Sequence, residues 1–549
     1  MKTRHLYKCL LMISLLLISF FSVANAQNLY GKKDLKTTWD ENTAIFLAFE
    51  GKDLSIKGKA DGILHQEGVT TITRGGTYVL SGTGQGQVVL AVPPEEDVFL
   101  VLHSLHLTSP NGPAIWGQQG NKTIITLAQN TENLLEDSTA YTVDEKGDPN
   151  AVIYTQEDLT FNGSGSLQVR GQYKHGIVTK DDLLILSGDF SVTAPGSALR
   201  GRDSVTILGG NFLLRAGTDG IQSNNDKGGE KGSIYIEEGI FDILAGKDGI
   251  QAQNTLTLNG GDFLIKVGKE ETQALFSEEN PPAQRGLVEK EKGKGLQGNQ
   301  VKITGGTIDI TSIHNGIHGN QWVDITGGHL RIHSQNRGIH GTLSVAVRGG
   351  DIGILDCREG IEGEKIFLEG GEISIASSDD GINASGGDTN KKKVAFDEKG
   401  EVIHLIAITG GIVHLDVGGD GLDSNGDILL QGGTLFIEGP PDRKNSAIDY
   451  NGTFTLHGGN LLVATKHNNQ WPATDRPGIL TYHQGAENTS IFLTDQRGEE
   501  VMTWTPKKAF DLLVFVTENL KEGEKYTLHI GEETIETPPL GKGLIEIIK

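Results

Sequence analysis

Cysteine is nearly absent from this chain, which has 2 among its 549 residues, Cys9 and Cys357. If Cys9 is removed with an N-terminal targeting segment, no disulfide can form within the chain, even in an oxidising compartment. The scarcity of thiols also disfavours metal ions that prefer sulfur ligands. The fold must therefore be held by hydrogen bonds and core packing.

Aromatic residues and basic charge are also scarce. Aromatics make up 6% of the chain and its 5 tryptophans are scattered, so no flat aromatic platform for crystalline cellulose is evident. The formal net charge is -23, which disfavours nucleic acid as a partner. An acidic exported protein often binds a hard cation, and Ca²⁺ is the expected one. The alternative is that the charge only keeps the protein soluble.

The N-terminus has the three parts of a targeting segment. A basic start is followed by an apolar core over residues 9–23 and by the small residues Ala24-Asn25-Ala26. This order predicts a signal peptide over 1–26, with a transmembrane anchor as the alternative. No later segment is apolar enough to span a bilayer. We therefore expect a secreted, periplasmic or cell-surface protein without a transmembrane segment.

Glycine, at 76 residues, is abundant and periodic. A polar residue, a glycine and an Ile or Leu recur at a spacing of about 22 residues in the clearest part of the chain. The repeats are Asp219-Gly220-Ile221, Asp248-Gly249-Ile250, Lys294-Gly295-Leu296, Asn315-Gly316-Ile317, Arg337-Gly338-Ile339, Glu359-Gly360-Ile361, Asp380-Gly381-Ile382 and Asp420-Gly421-Leu422. A fixed period of this size predicts a solenoid built from stacked coils.

The residues between the motifs predict the content of each coil. Short runs rich in Val, Ile, Leu, Phe and Thr alternate with glycine turns, and no long stretch has a helical period. Three short strands per coil predict an all-β fold of the parallel β-helix type. We expect an N-terminal cap over 27–60, the β-helix over 61–469 and a C-terminal β cap over 470–549.

Stacking converts the repeated positions into two polar columns. The residue after each Ile or Leu should point outward, as in Gln222, Gln251, Gln297, His318, His340, Glu362, Asn383, Asp423 and Asp449. The residue before each glycine forms a neighbouring column, with Asp219, Asp248, Lys294, Asn315, Arg337, Glu359, Asp380 and Asp420. This continuous polar stripe predicts a groove that binds a polymer. Plain solvent exposure is the alternative.

The two ends of the stripe are acidic and are the candidate metal sites. One end contains Asp181, Asp182, Asp203, Asp219, Asn225, Asp226 and Asp248, and the other contains Asp380, Asn383, Asp420 and Asp423. Stacked carboxylates repel each other unless a cation lies between them. Turns rich in Asp, Asn and Gly suit Ca²⁺, which binds six to eight oxygens. The alternative is that such turns use Asp and Asn for local backbone reasons.

The middle of the stripe is basic. Lys294, His318, Arg337, His340 and Arg358 are the candidate substrate-binding residues, because cations could pair with the carboxylates of an acidic polysaccharide. A Lys or Arg could instead abstract a proton next to a uronate carboxylate, as a lyase requires. A third interpretation is charge balance against the neighbouring acids Glu359, Glu362 and Asp356.

Several segments together resemble a known family of bacterial carbohydrate-binding β-helix proteins, related in shape to pectate lyases. The clostridial polygalacturonate- and cellulose-binding type is its typical member. The segments are Gly76-Thr77-Tyr78-Val79-Leu80-Ser81-Gly82, Asn111-Gly112-Pro113-Ala114-Ile115, Lys180-Asp181-Asp182-Leu183, 219–226 and 420–426. The resemblance implies a right-handed single-stranded parallel β-helix, Ca²⁺ held by Asp-rich turns, and binding of an acidic polysaccharide. The family usually has Asp-Gly-Ile in most coils, and this chain departs from that pattern in its middle coils.

Three functions follow from these observations. The first is an exported, calcium-containing protein, expected to be monomeric, that binds an acidic polysaccharide. The second is a calcium-dependent lyase that acts by β-elimination. The third is a structural or adhesive surface module with no glycan specificity. No catalytic residue is identified, since fold alone does not establish activity.

Overall fold

The protein is all-β, with 47 strands in the part of the chain described by the computed structural model. That part comprises residues 30–143, 148–268, 272, 293–385, 404–468 and 470–547. The predicted signal peptide over 1–26 lies outside it. Strands of similar sequence pair in parallel, and in the clearest repeats the paired strands are three elements apart along the chain. This pairing gives three long ladders of hydrogen-bonded strands. The all-β prediction is confirmed.

The first ladder, called the motif ladder, contains the repeated Gly-Ile segments. Its separate strands are Val69–Ile72, Gln87–Ala91, Ile115–Gln119, Ala151–Thr155, His175–Thr179, Leu199–Gly201, Ile221–Ser223, Ile250–Ala252, Ile382–Ala384, Leu422–Ser424 and Ile448–Tyr450. Four longer strands run from the motif ladder into the second: Leu296–Ile303, Ile317–Ile325, Arg337–Val347 and Glu359–Leu368.

The other two ladders complete each repeat. The separate strands of the second ladder are Lys122–Leu127, Asp158–Gly163, Asp182–Ile185, Ser204–Ile207, Ser233–Ile236, Thr255–Leu258 and Leu405–Ile408. Those of the third are Glu132–Glu136, Ser166–Arg170, Asp189–Ala194, Asn211–Ala216, Ile240–Ala245, Asp262–Val267, Thr307–Ser312, His329–Ser334, Asp351–Cys357, Glu372–Ser377 and Ile412–Val417. Four strands join these two ladders: Gly76–Gln85, Asp97–Thr108, Asp427–Glu438 and Phe454–Thr465.

The ends of the ladders carry additional strands. At the N-terminal end these are Ile45–Gly51, Asp53–Lys57 and Ile63–Gln66. At the C-terminal end Pro477–Thr481, Leu512–Val516 and Gly543–Ile547 extend the sheet, partly through antiparallel pairing. Ile491–Thr494, Glu500–Trp504, Thr527–Ile530 and Glu533–Glu536 form a separate antiparallel sheet. Both additions place strands beside the terminal repeats, where an uncovered sheet edge would promote aggregation.

One long apolar core runs between the ladders. The Ile or Leu of every repeated motif is fully buried, including Ile221, Ile317 and Leu422. On the third ladder, the rings of Phe190, Phe212, Phe241 and Phe263 stack with centroids 4.5 to 5.3 Å apart. Alternation along each strand directs these residues inward, and therefore directs the residue after each motif Ile outward, as predicted.

Glycine has two separate roles in the repeat. In the paired glycine turns, the second residue has a left-handed backbone, as at Gly328 with φ 104° and Gly433 with φ 76°. The motif glycine instead permits close packing. A Cβ on Gly316 would lie 2.3 Å from Cγ2 of Ile332 and 2.7 Å from the carbonyl oxygen of Gly338. Only a hydrogen atom fits between these neighbours.

The middle coils differ from the expected three strands and three turns. Ile317–Ile325 and its neighbours bend without ending, so the motif and second ladders share continuous strands. Register shifts mark the bend, for example between Gly298 and Gln300. A local bulge changes strand direction while keeping most of the ladder hydrogen bonds. In the described part of the chain, no helix is long and apolar enough to cross a membrane.

We predict that Gly316→Ala destabilises the protein by about 1–3 kcal/mol, because the new methyl group must displace packed atoms. The matched control is Gly209→Ala. A Cβ there would make only an ordinary contact, 3.5 Å from the carbonyl oxygen of Leu186. Thermal unfolding followed by circular dichroism should show a lower Tm for the first variant and little change for the second. Equal Tm values would contradict the close-packing role.

Candidate functional site

The predicted polar stripe exists as a set of directly paired residues on the motif ladder. The outward column is aligned strand to strand without a break. Adjacent members are therefore separated by about one strand spacing, or 4.8 Å. The aligned members, in order, are Gln222, Gln251, Gln297, His318, His340, Glu362, Asn383, Asp423 and Asp449.

The stripe is more buried than a plain solvated face. Asp219, Asp248 and Asn315 in the column before the glycines are at most 2% exposed, and Glu362 in the outward column is 5% exposed. Side chains of the two columns pack beside one another, so their charges must be compensated within the site or by a ligand. The groups that compensate these charges differ along the stripe.

Two stacked histidines occupy the middle of the outward column. The rings of His318 and His340 are 4.8 Å apart between centroids. Asn315 donates to Nδ1 of His318 over 2.9 Å, and Nε2 of His318 contacts Oδ1 of Asn320 over 3.0 Å. These contacts place the proton of His318 on Nε2 and leave its Nδ1 as an acceptor. Nδ1 of His340 lies 3.0 Å from Nδ1 of His318 and is therefore the donor of this hydrogen bond.

Neither of these histidines contributes positive charge at neutral pH. Burial, together with Lys294, lowers the pKa of His318 to about 3. Burial, together with Arg337, lowers the pKa of His340 to about 4. The middle of the stripe therefore offers two neutral stacked rings, and its positive charge comes from lysine and arginine alone.

The two predicted arginines are held by carboxylates. Nε of Arg337 lies 3.4 Å from Oε2 of Glu359 and also contacts Glu362. Arg358 contacts Glu359 and lies 3.1 Å from Oδ2 of Asp379. Because Glu359 and Glu362 are buried, their charges require these partners. These contacts are the ones expected if the arginines balance the charge of neighbouring acids.

Lysine compensates the first acidic positions. Nζ of Lys247 lies 3.5 Å from Asp219 and 3.4 Å from Asp248, and so bridges two repeats. Burial still raises the pKa of Asp219 to about 6. Lys294 follows them in the column, and its backbone N–H donates to Asp248 over 3.0 Å.

Asp203 also has local partners. It forms an ion pair with Lys231 and accepts a hydrogen bond from Asn225, and these contacts lower its pKa against the effect of burial. Asp226 is exposed. These predicted metal ligands therefore have protein cations or solvent around them.

Two other groups of acidic residues each bring three carboxylates together. Asp158, Asp181 and Asp182 each place a carboxylate oxygen within 4.8 Å of the others, and so do Asp420, Asp423 and Asp449. Burial and the neighbouring acids raise the pKa of Asp181 to about 6. The same causes raise the pKa of Asp420 to about 6.

Asp380 and Asn383 extend the second group towards the middle of the stripe. Asn383 donates to Asp380 over 3.2 Å, and Asp380 accepts the backbone N–H of Asp420 over 2.8 Å. Burial, with Asp379, Asp420 and Glu359 nearby, raises the pKa of Asp380 to about 7. Several carboxyl groups with raised pKa values therefore lie close together at this end of the stripe.

Sequence reasoning did not select several residues of the site. Asp158 begins a strand of the second ladder and precedes Leu159 as Asp182 precedes Leu183 in the next repeat, and this repetition could have identified it. His175 precedes Gly176-Ile177 and fits the motif, which could have identified it. Arg200 follows Ala198-Leu199, where alanine replaces the motif glycine, although the register still aligns Arg200 with Gln222.

We predict that Arg337→Ala destabilises the protein by about 3 kcal/mol, because removing the cation leaves buried carboxylates unpaired. The double variant Arg337→Ala/Glu362→Gln should recover part of this loss. Arg215→Ala is the control, since the partner of Arg215, Asp242, is half-exposed and such pairs contribute little. Denaturant unfolding measures all three. An unchanged midpoint for Arg337→Ala would contradict the charge-balance role.

Comparisons with known proteins identify the family of this chain. A carbohydrate-binding domain-containing protein of Acetivibrio thermocellus is 34% identical over 137 residues, which are 24% of this chain and 48% of that protein. The chain thus spans about half the length of this curated relative. One solved structure is described as the polysaccharide lyase-like protein from C. thermocellum, a gadolinium derivative, and is 32% identical to this chain. The match covers 41% of this chain and 92% of that chain, with a TM-score of 0.40. The family model described as carbohydrate-binding domain-containing protein matches residues 66–338 and 330–476, so the chain belongs to that family.

Proposed function

We propose that this protein is an exported, calcium-containing carbohydrate-binding protein of the polygalacturonate- and cellulose-binding type. An acidic polysaccharide would lie along the polar stripe. The observation that carries the proposal is the unbroken alignment of the outward column from Gln222 to Asp449. A regular row of hydrogen-bonding groups suits a ligand that is itself a repeating polymer.

We further propose a right-handed single-stranded parallel β-helix with caps at both ends. Parallel pairing between strands three elements apart supports a continuous winding. Connections between parallel strands of one sheet are right-handed in almost all proteins. In this arrangement the whole stripe lies on one face, as a polymer-binding groove requires.

Calcium would make an acidic glycan compatible with an acidic protein. At a net charge of -23, the protein repels a polyuronate unless cations lie between them. Asp158 with Asp181 and Asp182, and Asp420 with Asp423 and Asp449, fit a hard divalent cation. Each trio supplies only oxygen ligands, as Ca²⁺ prefers. Burial, followed by neighbouring acids, raises the pKa of Asp181 and of Asp420, and a bound cation would relieve the repulsion between the carboxylates.

Binding is favoured over β-elimination by the contacts of the central arginines. A base that abstracts a proton must be free of strong ion pairs and close to its own deprotonation. Arg337 and Arg358 are instead held by Glu359, Glu362 and Asp379. The proposed role of the middle of the stripe is therefore to contact sugar rings. The proposed location is outside the cytoplasm, and the proposed form is a monomer.

We predict that Ca²⁺ raises the Tm and that EDTA lowers it. One site at a hundredfold excess of Ca²⁺ over Kd adds about 2.7 kcal/mol. Asp181, Asp380 and Asp420 have raised pKa values of about 6 to 7. Without a cation, ionising them therefore costs stability as the pH rises from about 4 to 7. Ca²⁺ binds the ionised form, so the Tm gain should be larger at pH 7.5 than at pH 5.

The double variant Asp423→Asn/Asp449→Asn should lose part of the calcium-induced Tm gain. The matched control is Asp309→Asn, since Asp309 is an exposed acid on the third ladder. Differential scanning fluorimetry with and without Ca²⁺ measures each variant. The calcium proposal would be contradicted by an equal gain in both variants, or by no gain in the natural protein.

We predict stronger retention on polygalacturonate than on neutral galactan in affinity electrophoresis with Ca²⁺. Replacing Gln222 and Gln297 together by alanine should weaken binding about tenfold or more, because each loses a hydrogen bond worth roughly 1 kcal/mol. Gln168→Ala, on the outward face of the third ladder, should leave retention unchanged. Equal retention of all three proteins would contradict the stripe as the binding site. The appearance of unsaturated sugar ends during incubation would instead favour the lyase alternative.

A further inference from the structure

The outward column continues past Gln222 towards the N-terminus. The register aligns Gln222 with Arg200, Arg200 with Val178, and Val178 with Tyr154. Beside it, backbone hydrogen bonds link the neighbouring positions of Asp219, Ser197 and His175 in successive repeats. Arg200 and His175 therefore lie on the motif ladder next to the N-terminal end of the polar stripe, one in each column.

His175 has one defined tautomer. Its Nδ1 accepts the backbone N–H of Ser197 over 2.9 Å, and the ring is 5% exposed. Burial, followed by the charges of Arg200 and Lys174, lowers the pKa of His175 well below its usual value. The ring is neutral at physiological pH, and with Nδ1 acting as an acceptor its single N–H must be at Nε2.

That N–H faces another donor. Nη1 of Arg200 lies 3.5 Å from Nε2 of His175. A guanidinium has donors and no acceptor, so the two groups cannot satisfy each other. In the described part of the chain, Nε of Arg200 is also buried without a hydrogen-bond partner, and no carboxylate is within ion-pair distance of Arg200. An incompletely paired, largely desolvated cation of this kind is costly unless a ligand completes it.

Charges of both signs surround this position. Arg200, Lys174 and Lys180 act on His175, and Asp148 and Asp219 act on Arg200. Lys180 is paired with Asp148 over 2.7 Å. Asp219, the nearest acid in the column, has a pKa raised by burial to about 6 and is approached by Lys247. Because Asp148 and Asp219 are each approached by a lysine, we expect Arg200 to attract an anionic acceptor.

We propose that Arg200 and His175 form a carboxylate-binding subsite at the N-terminal end of the polar stripe. One carboxylate oxygen, at about 2.7–3.2 Å from each nitrogen, would accept from both Nη1 of Arg200 and Nε2 of His175. The ligand class is a uronic acid residue of the polysaccharide, so this inference rests on the proposed function. The subsite binds the acid group directly, whereas the carboxylate clusters require calcium to do so.

The test compares trigalacturonate with the same trisaccharide after reduction of its carboxyl groups, using isothermal titration of the full chain with Ca²⁺. Arg200→Gln should bind trigalacturonate at least tenfold more weakly and bind the reduced sugar as the natural protein does. Arg215→Gln is the matched control, since Arg215 is a partly buried arginine on the third ladder paired with Asp242. It should change neither affinity.

A second measurement observes the subsite in the natural protein. With ¹⁵N-labelled histidine, free galacturonate should shift the Nε2 resonance of His175, and this shift should be absent in Arg200→Gln. If Arg200→Gln binds trigalacturonate as tightly as the natural protein, the subsite is overturned and the proposed function stands. If the natural protein binds no trigalacturonate, the proposed function fails. In that case a shift of the His175 resonance with free galacturonate would still support the subsite, and the absence of this shift would overturn it. If Arg200→Gln does not fold, the response of the His175 Nε2 resonance to galacturonate in the natural protein tests the subsite on its own.

Discussion

The parallel register of the motif ladder is the constraint on which the rest of the structure depends. It places each residue of one repeat about 4.8 Å from its equivalent in the next. The motif glycines allow this stacking because no side chain fits beside Ile332 and its equivalents. The same register that stacks isoleucines in the core also stacks polar groups outside it. Where successive repeats carry acidic residues at the same position, the fold places like charges side by side, and these charges need compensation.

The chain compensates that row in different ways along its length. Lys247 bridges two aspartates, and Arg337 contacts two glutamates. At His318 and His340 burial removes the charge from both rings. At the clusters around Asp181 and Asp420 the acids repel one another. Near Arg200 two donors converge. The proposed ligand contacts therefore fall at three of these places. A sugar would contact the histidines, a cation would bind the acidic clusters, and a carboxylate would bind at Arg200.

Much of the ladder architecture could be predicted from sequence, because the Gly-Ile repeat reports the buried position in each coil directly. The outward column from Gln222 to Asp449 follows from strand alternation alone. The partners of the charged residues could not be predicted in this way. Whether Arg337 contacts a ligand or Glu362 depends on side-chain rotamers, and so does the approach of Asp158 to Asp181 in the next repeat. Arg200 stands at the outward position after Leu199 even though Ala198 replaces the motif glycine, but its contact with His175 depends on side-chain positions that the repeat does not predict.

The most direct test of the central claim, that the polar stripe of the motif ladder binds an acidic polysaccharide, is a crystal structure with an oligogalacturonate and Ca²⁺. The account predicts sugar rings along the outward column, with contacts to side chains between Gln222 and Asp449. Sugar density on the outward face of the second or third ladder, with the stripe left unoccupied at saturating ligand, would contradict it.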